Sequence, residues 1–291
     1  EHGIYTRERE EEIIKSDEIK DYARDMWIKY FYNMSLVAYK YARTVVSLYE
    51  RNRYLQIDLG CSEGKTMVVP NGIDLSHFKV DDLYQKKHRD CDEIIIGAVV
   101  RVVPIKDIIT MIKGFSIANL QDDRLKLIIM GPCDEDEDYF NYCTEYIEKN
   151  GIKNISFTGK VDVRKYLKEI DILLLTSISE AQPLSILEGM ACKIPIISTD
   201  VGSCSELVYG ISDNYGDSGI IVPVMDFIKL AEAILNLANN PELRHKMGES
   251  GISRVKGLYT KDRFIENYKI IYEILKGGQN GGNWLSIEKT H

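Results

Sequence analysis

The sequence predicts an α/β protein whose main part is a doubly wound, Rossmann-like parallel sheet. Three observations carry that expectation. Short, continuous apolar runs alternate with stretches of helical spacing: Ile94–Val99, Leu125–Met130, Ile155–Phe157, Ile172–Leu175, 194–198 and Gly219–Val222. Strands that are apolar throughout belong to parallel sheets covered by helices on both faces. Each loop rich in charge or hydroxyls follows one of these runs, where sheets of this kind bind ligands. The composition, 44% hydrophobic and 28% charged over 291 residues, suits one or two globular domains.

In chain order, residues 8–42 are charged and then place Trp27, Tyr30, Phe31, Met34 and Val37 at helical spacing, predicting one or two helices. Residues 45–48 read as a short strand, 50–59 as a helix stopped near Gly60, and 67–69 as a strand entering the turn Pro70-Asn71-Gly72. Helices are expected between the later strands at about 106–119, 137–149, 163–169, 184–192 and 204–209. Three more follow at about 226–239, 241–256 and 261–276. The expected organisation is residues 1–73 as the remnant of an amino-terminal domain, 74–92 as a polar linker and 93–258 as the doubly wound domain. A helix over 259–276 would cross back to the amino-terminal side, ahead of a flexible tail over 277–291. The opening Glu1-His2-Gly3-Ile4-Tyr5 reads like a strand end, so the chain is expected to begin inside a larger protein.

Charge and sulfur narrow the partners. The net charge is −8 and no long basic stripe is present, which argues against nucleic acid but leaves room for a small anion at a local patch. Six cysteines form no C-x-x-C pair and five histidines no H-E-x-x-H, so reduced, packed thiols are expected rather than a zinc site. No apolar run approaches about 18 residues and no secretory leader is visible; a cytoplasmic location follows.

The chemistry lies in the loops. Arg101 and Lys106 leave the end of the first strand five residues apart, a planar fork and a point charge suited to a diphosphate. Alone, they would be an ordinary surface pair. The fourth strand runs into Thr176-Ser177-Ile178-Ser179-Glu180-Ala181-Gln182-Pro183-Leu184-Ser185-Ile186-Leu187-Glu188. Pro183 suits the first helical position, which leaves the N–H groups of Leu184 and Ser185 at an anion-favouring helix start. Glu188, a turn further in, suits the vicinal hydroxyls of a ribose; Glu180 would be nearer a reacting sugar. Taken alone, the two glutamates read as a solvated face or as helix-start charges. Gly159-Lys160-Val161 can present backbone to a base edge with Val161 on the ring, or be a simple turn. Gly131-Pro132-Cys133-Asp134-Glu135-Asp136 reads as a solvated loop capping the next helix rather than a metal site.

Taken together, these pieces resemble family 4 of the glycosyltransferases with the GT-B fold. The resemblance rests on Pro70-Asn71-Gly72-Ile73-Asp74, Arg101-x4-Lys106, Glu180-x7-Glu188 and Thr199-Asp200-Val201-Gly202, and spans about residues 40–276. More closely, the chain is similar to the PelF-type enzymes of Pel exopolysaccharide synthesis. The phrases that carry this are Glu1-His2-Gly3-Ile4-Tyr5-Thr6-Arg7-Glu8, Val103-Pro104-Ile105-Lys106-Asp107, Gly159-Lys160-Val161-Asp162-Val163-Arg164, Thr176-Ser177-Ile178-Ser179-Glu180 and Asp200-Val201-Gly202-Ser203-Cys204.

The resemblance implies a doubly wound carboxyl-terminal domain plus part of an amino-terminal Rossmann-like one. It also implies a UDP-sugar donor, with UDP-glucose expected, no cofactor and no metal, and retention at the anomeric carbon. Arg101 and Lys106 would bind the diphosphate and stabilise the leaving UDP, and Glu188 would hold the ribose. Glu180 and the backbone from Gln182 through Leu184 to Ser185 would hold the donor sugar, and His2 would face it. A polysaccharide acceptor and membrane-bound synthase components are the implied partners. Two departures stand out. Ala181 replaces a common glycine, and most of the acceptor-side domain is missing, so the chain is expected to bind donor yet transfer poorly. A non-catalytic nucleotide-sugar-binding fragment, a UDP-sugar epimerase and a phosphorylase are the alternatives.

Overall fold

The computed structural model describes residues 21–78 and 93–276. The expectations for His2, for the rest of the first 20 residues, for most of the linker and for the tail lie outside the described residues. The described chain forms two compact units, one taking in residues up to Asn71 together with those from Asp262, the other running from Gly72 to Lys261.

The larger unit holds a six-stranded, all-parallel sheet. Its strands are β3 (Ile94–Val99), β4 (Leu125–Met130), β5 (Ile155–Phe157), β6 (Ile172–Leu175), β7 (Ile196–Thr199) and β8 (Gly219–Val222), and they lie in the order β5-β4-β3-β6-β7-β8. β1 (Val45–Ser47) and β2 (Thr66–Val68) belong to the other unit. Counted from the first strand of the sheet, this is the 3-2-1-4-5-6 order of a doubly wound fold. The register sets Ile96 beside both Leu127 and Ile172, so the centre of β3 is enclosed on both edges; Ile96, Leu127 and Ile172 are fully buried. That enclosure is why the central strands are apolar throughout, while Ser156 on the edge strand β5 is exposed.

The helices of this unit are α3 (Ile108–Gln121), α4 (Glu137–Lys149), α5 (Arg164–Leu167), α6 (Leu184–Ala191), α7 (Cys204–Tyr209), α8 (Phe227–Ala238) and α9 (Pro241–Leu258). Side-chain caps start several of them: Asp107, Asp136, Asp226 and Asn240 accept the N–H of Thr110, Tyr139, Lys229 and Leu243. Asp136 thus acts as the helix cap expected of its acidic loop. Three of the boundaries that differ from the sequence expectation do so for a clear local reason. α3 begins at Ile108, not 106, because Pro104–Lys106 close a single 3-10 turn and Asp107 follows at φ 47° before the helix proper. β7 begins at Ile196, because the Ile194 N–H is still bonded to the Gly189 carbonyl of α6 (3.0 Å). Pro183 is the cap of α6 rather than its first helical residue. Its ψ of 118° is extended, and its carbonyl accepts the Ile186 N–H at 3.2 Å.

The chain between α7 and β8, at the amino end of β8, is locked by Arg254 of α9, whose side chain is fully buried. Its guanidinium grips Asp213 bidentately (2.8 and 2.9 Å) and donates to the carbonyls of Leu207, Val208 and Gly216.

The smaller unit contains α1 (Asp21–Tyr41), β1 (Val45–Ser47), α2 (Glu50–Asp58), β2 (Thr66–Val68) and α10 (Lys261–Lys276), which begins at the boundary between the units. β1 and β2 pair in parallel, Val45 opposite Thr66. Tyr39, Val45 and Cys61 form its small core. Apolar side chains of α1 stay largely exposed, Trp27 at 48% and Tyr30 at 52%, with Trp27 stacked on Phe31.

Candidate functional site

In a sheet of this order, β3 and β6 are neighbours whose following chain segments diverge to opposite sides. The crevice at their carboxyl ends is the place where such folds bind ligands. The two loops that leave there are stitched together. The Ile178 N–H donates to the Ile105 carbonyl (2.9 Å), and the Thr176 hydroxyl to the carbonyls of Lys106 (3.0 Å) and Asp107 (3.1 Å).

This stitching places Lys106 against Glu180. The ammonium forms an ion pair with Glu180 Oε1, and the Ser177 hydroxyl donates to the same oxygen at 2.6 Å. Both charged side chains are mostly buried, 16% and 13% exposed, where an ion pair is far less screened than at the surface. Ser177 is itself fixed from β7, because the Thr199 hydroxyl donates to its carbonyl at 2.6 Å. The next turn, Val201-Gly202-Ser203, presses on the Glu180 loop. Ser203 N–H donates to the Ala181 carbonyl (2.9 Å), and Gly202, at φ +52°, lies so close that a Cβ there would sit 2.2 Å from the Glu180 carbonyl oxygen. Only glycine fits that approach.

Arg101 behaves differently. Its guanidinium is 54% exposed and pairs with Glu135 at 2.6 Å, so it does not join the Lys106–Glu180 pair. Gln182 is buried and Leu184 is 47% exposed; Ser185 is half-buried. Leu184 and Ser185 are the first two residues of α6, ahead of the Ile186 N–H that makes the first helical bond.

Glu188 and Val161 meet elsewhere along the same sheet end. They line a 520 Å³ cavity together with Val99 at the end of β3 and the Asp162–Arg164 turn after β5. Ile73, Asp74, His77 and Phe78 line it as well. Among the described residues the Glu188 carboxylate has no hydrogen bond or ion pair, and burial alone raises its pKa above the usual range. Asp162, by contrast, is held by Arg164 at 2.9 Å, and that hydrogen bond lowers its pKa.

These site residues named from sequence thus fall into two groups at the carboxyl ends of the strands: Lys106 with Glu180 at the β3–β6 crevice, and Val161 with Glu188 around the cavity. Sequence reasoning missed Ser177 and Gly202 as supports of Glu180, and it missed the cavity wall at 74–78. Ser177 had a visible signal, being a hydroxyl three residues before Glu180; of the wall, Asp74 alone had one, as the end of the Pro70-Asn71-Gly72-Ile73-Asp74 motif.

The chain was compared with known proteins. Residues 80–254, more than half the chain, match the family "Glycosyl transferases group 1", and residues 1–64 match a domain of unknown function, DUF3492. N-acetyl-alpha-D-glucosaminyl L-malate synthase of Bacillus anthracis is 28% identical over 70% of this chain and 52% of its own length. The capsular polysaccharide biosynthesis glycosyltransferase CapM of Staphylococcus aureus is 26% identical over 84% and 65%. A probable sucrose-phosphate synthase of Thermosipho melanesiensis is 29% identical over 89% and 62%. The chain therefore spans about half to two thirds of the length of these relatives. Among solved structures, Anabaena HepE in complex with UDP-glucose superposes with a TM-score of 0.72 at 17% identity, covering 86% of this chain and 68% of HepE. Sucrose-phosphate synthase of Thermosynechococcus elongatus gives 0.72 at 22% identity, covering 86% and 63%. These likenesses show the fold, α/β of the GT-B type. With its doubly wound sheet and the family match across it, the chain belongs to the group 1 glycosyl transferases.

Proposed function

We propose that the chain binds a UDP-sugar, UDP-glucose by preference, as donor for a retaining glycosyltransferase that extends a polysaccharide, and that this enzyme is of the Pel exopolysaccharide (PelF) type. The observation that carries the donor reading is Glu188: a half-buried carboxylate without a partner, in a cavity it shares with Val161. Such a group is costly to desolvate unless a ligand supplies donors, and a ribose diol supplies two. HepE, whose fold this chain shares, has been solved with UDP-glucose bound. The Pel-type assignment rests on the sequence phrases quoted above.

In this reading the diphosphate lies toward Arg101 and Lys106. Lys106 exchanges Glu180 for the phosphate, and Arg101 exchanges Glu135. Two cations and the start of α6 then offset the charge that develops on the leaving UDP, without a metal. Glu180, still held by Ser177, is released to accept hydroxyls of the donor sugar, beside the backbone of Gln182, Leu184 and Ser185. A role toward the donor sugar for His2 rests on the sequence resemblance alone. No described helix is long and apolar enough to cross a membrane. We place the protein in the cytoplasm, with a polysaccharide acceptor and membrane-bound synthase components as partners.

Titration calorimetry in EDTA tests the donor assignment. UDP and UDP-glucose should bind, and GDP-mannose should bind more weakly. Absence of binding by any uridine diphosphate species would overturn it.

A further inference from the structure

The 520 Å³ cavity has a wall to which the resemblance assigns no donor contact: the short segment 74–78. We propose that this segment is part of the nucleoside subsite, with Phe78 packing on the base and His77 hydrogen-bonding its polar edge. The proposal rests on the UDP-sugar reading and extends it to two contact residues.

The segment is built as a fixed wall. The Ile73 N–H donates to the Tyr259 carbonyl and the Lys261 N–H to the Ile73 carbonyl, both at 2.9 Å. Asp74 accepts from Ser76 N–H (3.0 Å) and Ser76 hydroxyl (2.6 Å), and pairs with Lys261 at 3.1 Å. These bonds, the Ser76 hydroxyl first, hold its pKa down to about 2. The Phe78 N–H closes the turn onto Leu75 (3.1 Å).

The polar groups around the cavity divide cleanly. Asp74 is committed to Ser76 and Lys261, and Asp162 to Arg164. Among the described residues, the side chains of Glu188 and His77 have no hydrogen bond or ion pair. What remains is an acceptor-only carboxylate, an imidazole, and the apolar surfaces of Phe78, Val99 and Val161. A nucleoside matches this inventory. Its diol donates to Glu188, its base faces meet the apolar groups, and its edge offers groups to His77. An inorganic phosphate does not match, because three carboxylates face the cavity and its one arginine is already paired. The volume lies within the roughly 300–1,000 Å³ usual for small-ligand sites.

The test is calorimetry of uridine, UDP and pyrophosphate on the wild type, Phe78→Ala and His77→Ala, with hydrogen exchange at residues 76–78 as a readout on the unmodified chain. Loss of aromatic contact with a base costs about 1–3 kcal/mol. Phe78→Ala should therefore weaken uridine and UDP alike, by about five- to a hundredfold, and leave pyrophosphate unchanged. His77→Ala should weaken uridine by a smaller factor. Uridine, but not pyrophosphate, should slow exchange at 76–78. If UDP binds the wild type but both variants keep full uridine affinity, or exchange at 76–78 is unaltered by uridine, the wall is refuted and the donor reading stands. If neither UDP nor uridine binds the wild type, the donor reading fails and the wall falls with it.

Discussion

Glu188→Gln should make the ligand-free protein more stable while making it a poorer binder. The carboxylate is half-buried without a hydrogen bond or ion pair among the described residues, and burial raises its pKa. An acid whose folded pKa lies above its unfolded value contributes stability only while protonated. That contribution is complete below the ordinary glutamate value and is lost as pH rises through the raised one. At neutral pH the native carboxylate is therefore a net cost, which the amide removes. Relieving a site residue of this kind commonly gains about 0.5–2 kcal/mol, or a melting temperature higher by about 2–4 °C per kcal/mol for a chain of this size. Binding moves the other way. A hydrogen bond to a charged group contributes about 1.5–3 kcal/mol, so UDP affinity should fall about ten- to a hundredfold. Thermal unfolding at pH 4 and pH 7.5, with and without UDP, reads both effects. The stability gain should appear at pH 7.5 and shrink at pH 4. A variant less stable than the wild type at pH 7.5, or one that binds UDP as tightly, would refute the assignment of an uncompensated ribose-binding carboxylate.

Arg101→Ala should weaken UDP much more than uridine in calorimetry, because in the proposed site the guanidinium acts on phosphate alone; equal losses for both would remove it from that site. Gly202→Ala should destabilise by about 2–3 kcal/mol in urea unfolding, since a Cβ meets the Glu180 and Ala181 carbonyl oxygens at 2.2 and 2.4 Å with φ at +52°. UDP-glucose affinity should fall more than uridine affinity as the Glu180 loop shifts. Arg254→Ala strands Asp213 and three carbonyls and should cost about 3–5 kcal/mol near neutrality. Asp213 has a pKa lowered first by its Arg254 hydrogen bond, so that share of stability is present above the ordinary aspartate value. It is lost as pH falls through the depressed one, and the gap between wild type and variant should narrow in acid.

The strands were legible because enclosure on both edges demands unbroken apolar runs, as at Ile94–Val99. That Lys106, Glu180 and Glu188 follow strand ends was legible, because the strands before them were. What sequence could not give is the partner of each charge. Nothing in the order of residues says that Arg101 meets Glu135 while Lys106 meets Glu180; that depends on how far each loop reaches. Nor does periodicity reveal Arg254, a cation in a helix that reads as surface but faces a ring of carbonyls. Pro183 illustrates the smaller errors. Its fixed φ suits both the cap and the first helical position, and only ψ decides between them.

The parallel bridge between Ile73 and Thr260 has a topological consequence. The larger unit enters at Gly72 and leaves at Lys261, and these ends lie side by side, with Gly72 so near the Thr260 carbonyl that no Cβ would fit between them. Some 190 residues of chain are thus cinched at the neck like a purse. A polypeptide closed in this way has no distant ends to tether. Its loops can be cut open and its neck sealed by a short linker with little change in closure entropy. Circular permutants that begin in the exposed turn at Gly151 would keep the whole sheet order, and the carboxyl end of the sheet would not register where the chain now starts.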